Sequence, residues 1–227
     1  MTTNQAGFSL IELLIAITAS SILLLVGGTF VGQGTLSINA DLNKTLVQTD
    51  TETAVNTIAK VIKSARSVEA QNSQPDLYSP GGSANLYGWS GVAGSNGTLI
   101  LAIPSRDTGG NLLYVDGLHT NLYTDDIVYY FDATSKKLYK RTIANSVSGN
   151  IAVTTCPPLY ATPACPADSV IVQDIANLTT SYFDSNNVFV SIPTGTESVG
   201  YTLTETRVIG NKSYAGTYTT NAALRNK

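Results

Sequence analysis

A long uncharged stretch near the N-terminus constrains this chain more than any other feature. The nineteen residues 13–31 carry no charge, and as a helix they would span about 28 Å, enough to cross the hydrocarbon core of a membrane. Glu12 stands directly before this stretch and is the only charged residue between Met1 and Asp41. An unpaired carboxylate costs about 2.5–3.5 kcal/mol at the centre of a membrane helix and less near the interface. The segment therefore predicts a membrane span and a specific role for Glu12.

Composition bounds what the rest of the chain can do. With 227 residues, 43% of them hydrophobic and 13% charged, the chain can bury the core of one domain and carry an appendage. The net charge is −3 and the 13 Lys and Arg residues are scattered, so no basic stripe predicts nucleic-acid binding. Cys156, Cys165 and His119 are too few for a zinc site, and no catalytic triad surrounds His119. We expect no catalytic residue, no metal and no cofactor.

The uncharged stretch alone leaves three kinds of N-terminus open. A secretory signal peptide has Lys or Arg ahead of about 7–15 apolar residues. Residues 1–7 contain neither Lys nor Arg, and the apolar run at 8–31 is longer than such a core. A plain signal anchor accounts for this length but gives no reason for Glu12. The third kind is a more specific leader.

The sequence GFSLIELL, which begins at Gly7, resembles the class III leader junction of type IV prepilins and pseudopilins. That junction has Gly, then Phe, then Glu as the fifth residue of the mature chain. The resemblance implies cleavage between Gly7 and Phe8 by a membrane prepilin peptidase, N-methylation of Phe8, and subunit assembly through Phe8 and Glu12. The chain departs from the usual pattern because its leader has no Lys or Arg. It also lacks the helix-kinking Pro of many major pilins, since its first Pro is Pro75.

The same resemblance implies a reason for Glu12. A cleaved pilin begins with a cationic amine, and the Glu is thought to meet the Phe amine of the neighbouring subunit and to set the axial register of the filament. Such a pair recovers part of the cost of burying each charge. The alternative is a carboxylate that extends to the lipid headgroups and has no partner.

The pattern after the uncharged stretch changes from helical to alternating. Apolar residues recur with a helical period between residues 36 and 68, and Asn, Ser and Pro at 72–75 are expected to end that helix. Alternation then predicts ten strands, at 98–103, 112–115, 126–131, 137–143, 151–155, 169–173, 178–183, 187–192, 198–209 and 215–220. Short turns between them favour an antiparallel sheet, which can pack on the apolar face of the helix.

The expected fold is α+β, with a long N-terminal helix packed on a C-terminal antiparallel β domain, as in type IV pilins. We expect four segments, namely a cleaved leader at 1–7, a transmembrane and filament-core helix at 8–34, an amphipathic helix at 35–74 and a β-rich globular domain at 75–227.

Four further blocks resemble PilW-type minor pilins and J-type pseudopilins, in the order of that family. They are residues 51–68, 125–141, 170–184, and 201–204 with the close at 224–226. The resemblance implies a minor pilin that primes pilus assembly or forms the tip. The alternatives are a pseudopilin of a type II secretion-like or competence DNA-uptake machine and, from another class, a pilus-tip adhesin that binds a surface ligand.

Partners and location follow from the same resemblance. The partners are other pilin subunits, the prepilin peptidase, the inner-membrane assembly platform, and membrane lipid before assembly; charge gives no support to DNA or a surface ligand. The chain is expected to cross the cytoplasmic (inner) membrane once, with its C-terminal domain outside, and then to join an extracellular pilus.

Cys156 and Cys165 enclose eight residues, three of which are Pro. Outside the cytoplasm a disulfide between them is expected, which stabilises the folded chain by about 2–3 kcal/mol. The sequence predicts a stapled surface loop, and the alternative is a loop that presents a contact surface to another subunit or ligand. Asp125 and Asp126, just before a strand, are expected at a solvated turn or cap.

Overall fold

The computed structural model describes residues 9–93, 97–209 and 212–225, and for Leu36 and Ile209 it describes the main chain alone. Gly7 and Phe8, the expected cleavage junction, lie outside the described residues. The chain forms two compact units, Met1–Thr45 and Leu46–Lys227. A single helix, α1, runs from Leu10 to Ser64 and contributes to both units.

In the first unit, α1 exposes its apolar side chains. Every side chain from residue 9 to residue 35 is exposed, including Leu10 at 85% and Leu25 at 72%. The most apolar window of α1 has a mean hydropathy of 2.4, so the helix is long and apolar enough to cross a membrane by length and composition.

In the second unit, one face of α1 is buried. Val55, Ile58 and Ile62 are at most 1% exposed, and their three- and four-residue spacing places them on one side of the helix. The helix ends at Ser64, so the expected end at residue 74 was wrong. The physical reason is strand pairing, because residues 67–69 form hydrogen bonds with a neighbouring strand in place of helical ones.

Within the described residues, nine strands form two antiparallel sheets. The first sheet contains, in spatial order, β1 (Ser67–Glu69), β2 (Thr98–Pro104), β3 (Thr124–Asp132), β4 (Lys137–Ile143) and β5 (Ser169–Gln173). The second sheet has the order β7-β6-β8-β9 and contains β6 (Ile175–Phe183), β7 (Phe189–Val190), β8 (Ser198–Ile209) and β9 (Lys212–Ala223).

The main core joins the buried face of α1 to both sheets. Leu99 and Leu101 of β2 and Leu203 of β8 face this core and are at most 1% exposed. Ile100, between the two Leu residues of β2, is also buried and packs in a second, smaller cluster with Trp89. Tyr201 of β8 adds a polar link, since its hydroxyl donates to the main-chain oxygen of Val55 at 2.5 Å. The expected α+β fold, a long helix followed by an antiparallel β domain, is therefore confirmed.

Individual strand predictions had different outcomes. The predicted bounds of β4, β5 and β8 agree with the structure. Residues 112–115 and 151–155 form no named strand, because they make only isolated bridges or single main-chain hydrogen bonds. The strand β1 was missed, since its residues continue the apolar pattern of the helix and become a strand only by pairing with β2.

Candidate functional site

The helix begins with a reciprocal capping arrangement. The main-chain N–H of Ser9 donates to Oε2 of Glu12 at 3.0 Å, and the N–H of Glu12 donates to Oγ of Ser9 at 3.3 Å. This is a capping box, in which a Ser and a Glu three residues apart satisfy each other's free amide groups at the start of a helix. Glu12 thus has a partner within its own chain. The Ser-x-x-Glu spacing of residues 9–12 is the sequence signature of such a cap.

A second candidate site, which the sequence analysis missed, is organised around Arg141. Its side chain is fully buried in the first sheet. Its Nη1 donates to Oδ2 of Asp76 at 2.9 Å, and its Nη2 donates to Oδ2 of Asp168 at 2.7 Å. Both carboxylates are buried as well. A charged side chain this deep requires such partners, because an unpaired charge inside a protein is costly.

The two carboxylates of this Arg141 network are further satisfied by neutral donors. Trp89 donates its Nε1–H to Asp76 at 2.7 Å, while the hydroxyl of Tyr130 donates to Asp168 at 2.7 Å. Burial, and then this bond to Asp168, raise the pKa of Tyr130, so its hydroxyl remains protonated and available as a donor. The network therefore connects the loop before β2 to strands β3 and β4.

Aromatic rings surround the guanidinium of Arg141. The centroids of Tyr78, Trp89 and Tyr130 lie 5.9, 5.6 and 5.7 Å from its Cζ atom, within the range of cation–π attraction. The ring of Tyr78 also stacks on Tyr160, with centroids 5.0 Å apart. These contacts hold the loop before β2 against the loop that contains Tyr160.

Cys156 and Cys165 are disulfide-bonded, with Cα atoms 5.6 Å apart. Within the loop they close, Leu159 is 84% exposed and Tyr160 is 53% exposed. An open cleft of about 400 Å³ lies between this loop, Tyr78 and Arg141. The disulfide and the Arg141 network together present an aromatic surface on a rigid support.

The sequence contained a partial signal for Arg141. Period-two alternation places Tyr139, Arg141 and Ile143 on one face of β4, and all three are buried. An Arg between an aromatic and an aliphatic residue on a buried face requires acidic partners, because an unpaired buried charge is costly. The positions of those partners, Asp76 and Asp168, are set by loops whose course the alternation does not predict.

Asp125 and Asp126 were expected at a solvated turn or cap; both are buried, so the solvated turn was wrong, while both accept main-chain N–H groups of loops as a cap does. Asp126 accepts main-chain hydrogen bonds from Ser73 and Gln74 at 2.6 and 2.8 Å, which explains its depth. Burial raises the pKa of Asp126, and these donors act in the opposite direction. Both residues therefore support the fold by holding loops.

A further charged group joins α1 to the second sheet. Arg207 of β8 contacts Asp50 of α1 at 2.8 Å, Asp174 at 3.1 Å and the buried Glu205 at 3.0 Å. Thr51 donates its hydroxyl to the other oxygen of Glu205 at 2.9 Å. This Arg207 group is positioned to hold the helix on β8.

His119 lies in an exposed turn between β2 and β3, with a φ of 58°. Its ring meets the edge of Tyr114, with centroids 4.5 Å apart. In residues 9–93, 97–209 and 212–225, no group of three or more His, Cys, Asp and Glu side chains is placed to hold a metal ion.

The N-terminal segment matches a known family model. Residues 2–28 match the prokaryotic N-terminal methylation motif, and this segment contains Gly7, Phe8 and Glu12. No curated protein matches the chain significantly. The motif supports a type IV prepilin-like protein, a structural class that assembles with other pilin-type subunits after processing by a prepilin peptidase. Together with the apolar helix, it supports anchoring in a membrane before assembly.

Proposed function

We propose that this chain is a minor pilin, a structural subunit of a type IV pilus that enters the filament by its methylated N-terminal helix. The methylation motif at residues 2–28 is the observation that carries the proposal. The exposed apolar surface at the start of α1 gives it physical support, because such a surface needs lipid or neighbouring helices around it. The compact unit Leu46–Lys227 forms the globular part.

The proposed sequence of events begins at the membrane. Prepilin peptidase removes the leader 1–7 and methylates the new amine of Phe8. Helix 8–34 holds the subunit in the inner membrane, with the β domain outside, until the assembly platform transfers it to the filament. Glu12 then pairs with the amine of a neighbouring subunit, and this attraction is stronger in an apolar surrounding than in water.

Two observations support a position at the tip or in the priming complex. The first observation is that four blocks of the sequence resemble PilW-type minor pilins. The other is the aromatic surface of Tyr78 and Tyr160, which is held rigidly by the disulfide and by Arg141. A subunit at the filament end can use such a surface without obstruction from a subunit above it.

Mass spectrometry of sheared surface filaments tests the proposal. A peptide that begins at N-methylated Phe8 is the expected result, and it reports processing and incorporation together. If the filaments lack the chain while membranes retain it with Met1 or Thr2 still present, the prepilin proposal is wrong.

A pseudopilin of a secretion or DNA-uptake machine is the second candidate, because the same methylation motif supports it. The two candidates differ in where the processed chain is found. A minor pilin is recovered in filaments sheared from the cell surface. A pseudopilin stays with the cell envelope although Phe8 is methylated.

A pilus-tip adhesin is the candidate from another class. The observation in its favour is the open cleft of about 400 Å³ beside Leu159 and Tyr160. In an adhesin, Tyr160→Ala would abolish attachment to a surface while filament number stays unchanged. A subunit needed only for assembly would show no loss of attachment per filament.

A further inference from the structure

One edge of the second sheet is long and regular. Strand β9 is the last strand of that sheet and pairs only with β8. All twelve of its residues pair without a register shift, from Lys212 opposite Ile209 to Ala223 opposite Ser198. The other side of β9 has no strand beside it within the described residues.

The other three sheet edges are short or irregular. Strand β1 has three residues and β7 has two. Strand β5 has five residues, and its pairing with β4 shifts register between Leu138 and Tyr139. Proteins commonly protect sheet edges by shortness, bulges, Pro or charged side chains. Strand β9 has no Pro and no bulge, and Lys212 is its only charged residue.

The free hydrogen-bonding groups of β9 can be assigned from its neighbours. The N–H of Leu224 donates to the oxygen of Glu197, and the N–H of Thr206 donates away from β9, to the oxygen of Asp174. In an antiparallel ladder, hydrogen-bonded pairs alternate with pairs that exchange no main-chain hydrogen bond. Thr206 and its partner Ala215 form a pair of the second kind, so the odd-numbered residues of β9 direct their N–H and C=O groups outward. They are Ser213, Ala215, Thr217, Thr219, Asn221 and Ala223, and all six are exposed, small and uncharged.

A groove lies beside this edge. Its volume is about 320 Å³, and its walls are Gln48 and Glu52 of α1 and residues 215–218 of β9. The strand lies close to the helix at Gly216, where a Cβ atom would come within 3.0 Å of Val47 Cγ1. An extended segment placed here would have the helix on one side and the main chain of β9 on the other.

The charge around this edge differs from that of the chain as a whole. Residues 207–227 contain four basic and no acidic residues, which leaves nine basic and sixteen acidic residues in 1–206. Lys212 and Arg225, near the two ends of β9, are exposed and make no ion pair within the described residues. Two antiparallel copies of β9 would bring Lys212 of one copy next to Arg225 of the other, which disfavours self-pairing.

We propose that the outer edge of β9 binds an extended segment of a different protein, which joins the sheet as a further strand. The segment is uncharged along its centre and carries acidic residues at its ends, opposite Lys212 and Arg225. Main-chain hydrogen bonds supply the affinity, and the small exposed side chains of β9 allow close approach. The inference does not rest on Phe8 or Glu12.

Photo-cross-linking of the full-length chain in its native cells tests this inference. Benzoylphenylalanine, an aromatic residue larger than tyrosine, replaces Tyr218, which lines the groove and is partly exposed. Thr217→Pro and Thr219→Pro then remove outward N–H groups, whereas Thr217→Val and Thr219→Val keep them. We expect a cross-link to another protein that falls about tenfold in each Pro variant and stays within about twofold in each Val variant.

A control for folding accompanies the Pro variants. Trypsin digestion without reductant shows whether the domain remains intact in each variant. Lys212→Glu combined with Arg225→Glu provides a second test that leaves the main chain unchanged, and the cross-link is expected to fall about tenfold there as well.

Three results would overturn the inference. They are a product that is a dimer of this chain, equal yields from folded Pro and Val variants, and no cross-link from position 218. The N-terminal peptide is measured in the same cells. If Phe8 is unprocessed while the Pro and Val variants still differ, the minor-pilin proposal fails and the β9 proposal stands.

Discussion

Glu12 has a hydrogen-bond partner in its own chain, because Ser9 donates its N–H to the carboxylate at 3.0 Å. Glu12 caps the first turn of α1, and under the proposed function it has a second task, to offer a charge to a neighbouring amine. The cap needs only an acceptor at this position, and a Gln provides one. The pairing with an amine needs the negative charge.

This difference predicts separate effects for substitutions at Glu12. Glu12→Gln keeps the cap and removes the charge, so we expect incorporation into filaments to fall about tenfold. Glu12→Val removes both the cap and the charge, so we expect incorporation into filaments to fall at least as far. Quantitative mass spectrometry of filament and membrane fractions measures the ratio.

Ser9→Ala is the matched control for Glu12→Gln, because it weakens the cap and keeps the charge. We expect its incorporation to stay within about threefold of the unmodified chain, since a lost cap costs about 1 kcal/mol or less at an exposed helix end. If the Glu12→Gln variant were incorporated as well as the unmodified chain, the charge would have no role in assembly.

The Arg141 network predicts a large loss of stability from one substitution. Arg141→Met leaves Asp76 and Asp168 buried without their cation, which is expected to lower the free energy of unfolding by about 3–5 kcal/mol. The fluorescence of Trp89, the only Trp in the chain and a member of the network, can follow unfolding in urea.

Lys140→Met is the control for Arg141→Met. Lys140 is the preceding residue of β4 and is only half-buried, so its loss is expected to change the free energy of unfolding by about 0.5 kcal/mol. Equal urea midpoints for the two variants would show that the buried ion pairs contribute nothing specific.

Removal of the disulfide should have a smaller effect. Replacement of both Cys156 and Cys165 by Ser is expected to lower the free energy of unfolding by about 2–3 kcal/mol, because the unfolded chain regains the freedom of a ten-residue loop. The loop should keep its place, since Tyr160 still stacks on Tyr78. Thermal unfolding with and without reductant measures the difference, and identical curves would contradict it.

Glu205 predicts a dependence of stability on pH. Burial raises its pKa above the usual 4.5, and Asp50 and Asp174 act in the same direction, although Thr51 and Arg207 oppose the shift. The folded chain therefore holds this proton more tightly than the unfolded chain. The resulting stability is fully present below about pH 4.5 and is lost as the pH rises through the raised pKa.

Glu205→Gln isolates this contribution, because Gln cannot ionise and still offers an oxygen to Thr51. We expect the free energy of unfolding of the unmodified chain to fall, relative to that of the variant, as the pH rises above about 4.5. Asp126 also has a raised pKa, but it is common to both chains and cancels in the difference. Urea unfolding at several pH values measures it; parallel pH profiles would contradict the role of Glu205.

Local pattern was sufficient to predict much of the fold. The bounds of β4, β5 and β8 follow from local pattern, and β8 shows the reason, because Val199, Tyr201 and Leu203 alternate along it and are all buried. Strand β1 and the end of α1 did not follow, because residues 67–69 have an apolar pattern that suits either structure. Their pairing with β2 selects the strand, and that contact lies more than thirty residues away.

The candidate sites divide in the same way. Glu12 stands out in the sequence because a charge interrupts an apolar stretch. The importance of Arg141 comes from Asp76 and Asp168, which two separate loops, one before β2 and one before β5, bring to its side chain. No periodic signal encodes such a meeting, so the partners become visible only in the folded chain.

The strand order of the two sheets has a consequence for how the domain folds while the chain emerges, N-terminus first, from a narrow channel. In the first sheet, order in space follows order in the chain, so each hairpin can close as soon as its second strand emerges. The second sheet differs, because β6 pairs with β8 as well as with β7, and β8 emerges only after β7. During that interval β6 has an unpaired side, and the emerging chain is most open to a chaperone or to an incorrect partner.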